Sequence, residues 1–264
     1  MKTHSLAEWL YLLYPRRATE IKLMAYTFLE LLFLEAIELY QQEIRYQGPV
    51  SRHQRRTQIF IRPGKRIKFY DYFHHQQLMV DQLWKVQPAS FASYIGSIEK
   101  QLNEGEINDF RIDYVRKSLK EKRIIHGMPQ LMASLGLRNS EWRQEVHRFR
   151  NYTKSLPLRD PRAWSSIFRE LGPVAYILAD DKYIGEDIYS SLQGHELPQL
   201  SCRESNWYSY PLGQDHEKSP IDFTFPDVNV PVMLSTFENT TPRMKKDDSY
   251  LYIDGSHDDY FDFD

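Results

Sequence analysis

The chain has 264 residues, 41% of them apolar and 27% charged, and a formal net charge of −2. This length and balance exclude a chain too polar to build a core, and they allow one large domain or two small ones. The single cysteine, Cys202, excludes an intramolecular disulfide and a cysteine-based zinc site, and it fits a reducing, cytoplasmic setting.

In chain order, Ser5 followed by Glu8 forms a capping box. Leu6, Trp9, Leu10 and Leu13 then share one face of a short helix, which Pro15 ends. No small-residue cleavage site accompanies this apolar start, so no signal peptide is expected. Thr19 caps a longer helix over residues 20–37. Its apolar run, residues 23–37, is shorter than the ~20 residues that span a bilayer. It also carries Glu30 and Glu35, which predicts a core helix and no membrane span. Imperfect alternation over 37–46 and the run Ile59-Phe60-Ile61 predict two strands. A polar, basic loop containing Gly48-Pro49 joins them, and Pro63-Gly64 closes the returning strand.

Helices are predicted over 70–86 and 90–102. Asn108 or Asp109 caps a further helix, with Ile112, Val115 and Leu119 inward and Arg111, Arg116, Lys117, Lys120 and Lys122 outward. Arg123-Ile124-Ile125 reads as a short strand. Helix, turn, helix and strand over 88–128 thus repeat the order seen over 5–69. Helical patterns follow over 131–154 and, after Asp160-Pro161, over 162–171. Residues 174–178 form a last apolar turn or strand. From 181 to 264 the chain is rich in Gly, Pro, Ser, Asn and Asp without long periodicity, which predicts an irregular, partly disordered tail.

Charge is unevenly spread. Residues 44–70 carry Arg45, Arg52, Arg55, Arg56, Arg62, Lys65, Arg66 and Lys68 and no acid, whereas 249–264 carry five aspartates and no lysine or arginine. Guanidinium groups bind phosphate and carboxylate bidentately, so the candidate anion-binding residues are Arg45, Arg52, Arg55, Arg56, Arg62, Lys65 and Arg66. A solvated loop that protects a strand edge is the bland alternative. Arg111, Arg116, Lys117 and Lys120 could form a recognition face, but Asp109, Asp113 and Glu121 interleave with them. His74 and His75 are adjacent and point about 100° apart on a helix. His126, His147, His195 and His216 lack ligand spacing, and HExxH and a Gly-rich phosphate loop are absent. No catalytic residue, metal site or cofactor is expected.

Ser5-Leu6-Ala7-Glu8-Trp9-Leu10-Tyr11-Leu12-Leu13 resembles the opening helix of the Golgi phosphoprotein three-like family. Leu29-Glu30-Leu31-Leu32-Phe33-Leu34-Glu35-Ala36-Ile37-Glu38-Leu39 resembles its second helix, and Lys117-Ser118-Leu119-Lys120-Glu121-Lys122-Arg123-Ile124-Ile125 a later helix-to-strand segment. The likeness covers residues 5–125. It implies a helical, peripheral, non-enzymatic protein that binds phosphatidylinositol 4-phosphate. The family's lipid-binding arginines would fall on Ile112 and Tyr114, so no site residue is carried over.

The expected fold is mainly α, with two winged-helix-like units (5–69 and 88–128) inside a helical domain, 1–180, followed by an irregular acidic tail, 181–264. The expected function is a non-enzymatic binding or adaptor protein. Its basic hairpin would meet an anionic partner, either lipid headgroups or an acidic protein surface, from the cytoplasm or the periphery of a membrane. A winged-helix nucleic-acid-binding protein is the alternative.

Overall fold

The computed structural model describes residues 4–47, 53–86, 89–104, 109–122, 140–179, 201–202, 223–224 and 230–241. Within them the chain is mainly helical with a small three-stranded antiparallel sheet. Helix α1 (Leu6–Leu13) starts at the expected capping box. Glu8 N–H donates to Ser5 Oγ, and Ser5 N–H donates to Glu8 Oε2. Helix α2 (Glu20–Phe33) is capped by Thr19 and is buried along almost its whole length. Leu31 and Leu34 have no exposed surface.

Helix α2 stops four residues before the predicted end. Glu35 N–H bonds Leu32 O and Ala36 N–H bonds Leu31 O, a Schellman closure with Glu35 at the left-handed position, φ 54°. Strands β1 (Ile37–Gln47) and β2 (His53–Pro63) then pair antiparallel, Ile37 opposite Pro63 and Gln47 opposite His53. Strand β3 (Ala89–Ser90) adds to β2 at Phe60 and Ile61 only. The sheet is therefore shared by both stretches that the sequence suggested as separate units.

Helix α3 (His74–Val86) begins four residues later than predicted. Residues 65–68 form turns and 69–73 an irregular connection, tied back by Tyr72 O–H donating to Ile67 O at 2.6 Å. Helix α4 (Phe91–Glu104) follows. A π-helical segment, Phe110–Arg116, runs into the short α5 (Lys117–Glu121), with Asp109 as its cap. Bonds from i to i+5 align residues five apart. Phe110 and Val115 are accordingly both buried, while Ile112, expected inward on a 3.6-residue period, is 39% exposed. The short strand expected at 123–125 lies outside the described residues.

Helix α6 (Ser140–Lys154) packs on α1 through Phe149 and Trp9, ring centroids 5.1 Å apart. A 3₁₀ turn leads into α7 (Trp164–Leu171), and a second leads into α8 (Ala175–Ala179), which is buried throughout. Tyr26 O–H on α2 donates to Tyr176 O on α8. Strands β4 (Ser201–Cys202) and β5 (Phe223–Thr224) form a separate two-residue pair.

Besides the short β4–β5 pair, the expectation of an irregular tail over 181–264 needs correction in one longer stretch. Residues Val230–Thr240 form helix α9. Its Phe237 is fully buried in an aromatic cluster with Phe28 of α2 and Phe91 of α4, both at 5.8 Å. The threonines and asparagine of this stretch hide the periodicity, and burial of Met233 and Phe237, four apart on one face, outweighs propensity. The acidic stretch 249–264 lies outside the described residues.

Candidate functional site

The hairpin is anchored by a tight backbone junction. Gly64 N–H donates to Ala36 O at 2.8 Å, and Arg66 N–H donates to Glu35 O at 3.1 Å. The chains approach so closely that a Cβ on Gly64 would lie 2.1 Å from Glu35 O, so only glycine fits. Glu35 holds a left-handed conformation that costs a non-glycine residue about 1–2 kcal/mol. Its carboxylate, in turn, lies 3.0 Å from Lys65 Nζ and 3.1 Å from Arg66 Nε. One register step up, Arg62 Nε donates to Glu38 Oε2 at 3.0 Å, and the same guanidinium lies 5.2 Å from the Tyr40 ring centre. Three of the seven predicted anion-binding residues, Arg62, Lys65 and Arg66, thus already face carboxylates of the chain.

Farther out, the hairpin leaves the core. Ile37 and Ile61 are buried and Leu39 packs against the core, but Gln41, Gln42, Glu43, Thr57 and Ile59 are exposed. Among the described residues the pairing continues without a third strand, because β3 meets β2 at Phe60 and Ile61 only. Its register sets Gln42 opposite Gln58, Ile44 opposite Arg56 and Arg45 opposite Arg55. Like charges at directly opposed positions of an antiparallel pair destabilise it. Arg52 lies outside the described residues.

A second cluster of polar groups surrounds the start of α1, and here all but the half-buried Lys122 are buried. The Glu8 carboxylate accepts from Ser118 Oγ at 2.7 Å and from Lys122 Nζ at 2.6 Å, besides Ser5 N–H. Glu30, from the apolar α2, accepts from Leu6 N–H at 3.0 Å and from Gln76 Nε2 at 2.6 Å. His75 Nε2 lies 2.9 Å from Ser5 Oγ. Burial alone would raise the Glu8 carboxyl, but the contact to His4 and the charge of Lys122 hold it well below the usual carboxylate range. Burial pushes His75 down to about 4, so its ring is neutral. Burial also pulls the Lys122 ammonium down, against the opposing pull of Glu8. Lys122 Nζ sits 3.6 Å from the centre of the Phe73 ring.

This cluster satisfies a buried helix start. Two carboxylates meet the first-turn N–H groups, where the helix dipole favours negative charge. At the other end of α1, Arg150 Nη2 donates to Leu13 O at 2.7 Å and Arg111 Nη2 donates to Pro15 O at 3.1 Å. The Ser5–His75 contact has the spacing of a nucleophile and a base, but Ser5 Oγ is already engaged in capping and both side chains are fully buried. The arrangement locks four elements together.

Several of these residues escape sequence reading. Lys122, expected outward, turns in to Glu8, and nothing local signals it. Arg111, expected outward, donates to Pro15 O just past the end of α1. Glu30 does carry a signal, since a carboxylate inside an apolar helix must find partners. Among the described residues, no group of three or more His, Cys, Asp or Glu is placed to hold a metal ion, and no helix is long and apolar enough to cross a membrane. Comparison of the chain with protein-family models, with curated proteins and with solved structures finds no match.

Proposed function

We propose that this protein is a non-enzymatic binding module whose helical body holds out a basic two-stranded arm toward an anionic partner. In this reading α1, α2 and the β1–β2 hairpin form a winged-helix-like unit, and the hairpin is its wing. The observation that carries the reading is the division of the hairpin's charge. At the base, Arg62, Lys65 and Arg66 are matched by Glu38 and Glu35. In the outer half the sequence supplies Arg45, Arg52, Arg55 and Arg56 against one acid, Glu43, and the register sets Arg45 opposite Arg55. A bound anion would relieve that opposition. The base acts as a structural hinge block and the outer arginines act as the contact.

Co-sedimentation with anionic vesicles and with duplex DNA at two salt concentrations tests this. The wild-type chain is expected to bind at least one of them with an affinity that falls steeply between about 50 and 200 mM salt. Arg45→Ser, Arg55→Ser and Arg56→Ser together are expected to abolish most of that binding. Unchanged binding and salt slope in the triple variant would remove the arm as the contact.

A further inference from the structure

The geometry points to double-stranded DNA as the anionic partner, read in its major groove by the outer half of the hairpin. This rests on the preceding reading of the arm as the contact surface and adds which anion it takes. The first argument is shape. Among the described residues the arm is an antiparallel ribbon without a third strand from Gln41 and Ile59 to Gln47 and His53, with strands about 4.8 Å apart. With side chains, such a ribbon fits a groove ~12 Å wide. Its seven residue pairs reach roughly 20 Å at ~3.4 Å per residue, beyond the groove's depth of ~8.5 Å.

The second argument is chemistry. The ribbon's register rows set two amides opposite each other, Gln42 and Gln58, and follow them with Ile44 opposite Arg56 and Arg45 opposite Arg55. Gln42 is exposed and Gln58 half-buried, so at least one amide is open to a base edge. Glutamine pairs bidentately with adenine and arginine with guanine or phosphate. Because successive positions alternate between faces, Gln42, Gln58 and Arg56 belong to one face, continuous with Tyr40 and Phe60. Tyr40 and Phe60 stack at 5.7 Å, which stiffens the arm where it leaves the body.

The same features argue against two competitors. A membrane-docking face presents clustered apolar anchors, whereas among the described side chains of this ribbon Ile59 is the one exposed apolar group beside Gln41, Gln42, Glu43 and Thr57. In duplex RNA the major groove is too deep and narrow for side chains to read.

Fluorescence anisotropy of the full chain with labelled duplex DNA, duplex RNA and single-stranded DNA of matched sequence, beside phosphatidylserine vesicles, tests the assignment. Duplex DNA should bind at least about tenfold more tightly than the others. Removing each of Arg45, Arg55 and Arg56 should flatten the salt exponent by about 0.9 for every phosphate no longer neutralised. The pair Gln42→Ala and Gln58→Ala should leave that exponent unchanged and reduce discrimination among duplex sequences by about tenfold. Circular dichroism of each variant separates unfolding from weakened binding. Equal binding to DNA and RNA duplexes, or unaltered discrimination in the glutamine variant, overturns groove reading. Arginine-dependent binding to vesicles with none to DNA overturns the DNA assignment and leaves the anionic-arm reading standing. Binding to no polyanion, or DNA binding indifferent to the three arginines, overturns both.

Discussion

Two residues hold more of the structure than their size suggests. Gly64 is the point where the chain leaving α2 and the chain leaving β2 touch, and a Cβ there would overlap Glu35 O. Gly64→Ala is therefore expected to destabilise by about 1–3 kcal/mol or more, as overpacking does, and to loosen the hairpin from the body. Urea denaturation measures the first effect, and amide exchange along β1 and β2 measures the second. His75 is the other. Its folded pKa of about 4 lies below the ordinary 6.5, so the folded ring stays neutral where the unfolded ring takes a proton. The unfolded state then binds more protons, and stability falls as pH drops from 6.5 toward 4. Each pH unit costs about 1.4 kcal/mol, and the whole window on the order of 3 kcal/mol. Glu8, also depressed, adds loss in the same direction below its ordinary 4.5. Melting temperature followed from pH 7 to 5 should fall, and His75→Gln, whose amide can still reach Ser5, should flatten that fall. An identical slope in the variant would assign the effect to other groups.

At the scale of elements, what can be read in the sequence is what local chemistry decides. Ser5 and Glu8, Thr19 and Asp109 all cap where their types and spacing indicate, and the imperfect alternation over 37–46 and the run Ile59-Phe60-Ile61 do become strands. The misses share one physical cause, which is that a tertiary partner overrides the local pattern. The π-helical turn places Phe110 and Val115 inside and puts Ile112 out, against the 3.6-residue period. Glu35 ends α2 early in a conformation usually left to glycine, because Gly64, Lys65 and Arg66 close around it. Helix α9 forms in a stretch of poor helix formers because Phe237 fills a place between Phe28 and Phe91. That last assignment makes a direct prediction. Phe237→Ala should cost about 3–5 kcal/mol, whereas Glu238→Ala, on the exposed side, should stay within about 0.5 kcal/mol. Equal, negligible effects in chemical denaturation would mean that α9 contributes nothing to the core.

Over the whole molecule, the basic stretch is visible in the sequence but its division into two parts is not. Composition counts Arg62, Lys65 and Arg66 with Arg45, Arg55 and Arg56, yet only the fold brings Glu35 and Glu38 against the first three. Charge near the body serves the junction, and charge beyond Gln41 and Ile59 lies where, among the described residues, the ribbon has no third strand. The most direct measurement sets the two groups of arginine and lysine against each other in one assay. One variant carries Arg45→Ser, Arg55→Ser and Arg56→Ser, and the other carries Arg62→Ser, Lys65→Ser and Arg66→Ser. Each is melted and then titrated with the same polyanion at two salt concentrations. The outer variant should keep the wild-type melting temperature and bind at least about tenfold more weakly with a flatter salt slope. The inner variant should melt lower and, below its transition, bind nearly as well as wild type. Binding weakened equally in both, or in the inner variant alone, would contradict the division of the hairpin into a structural base and a binding arm.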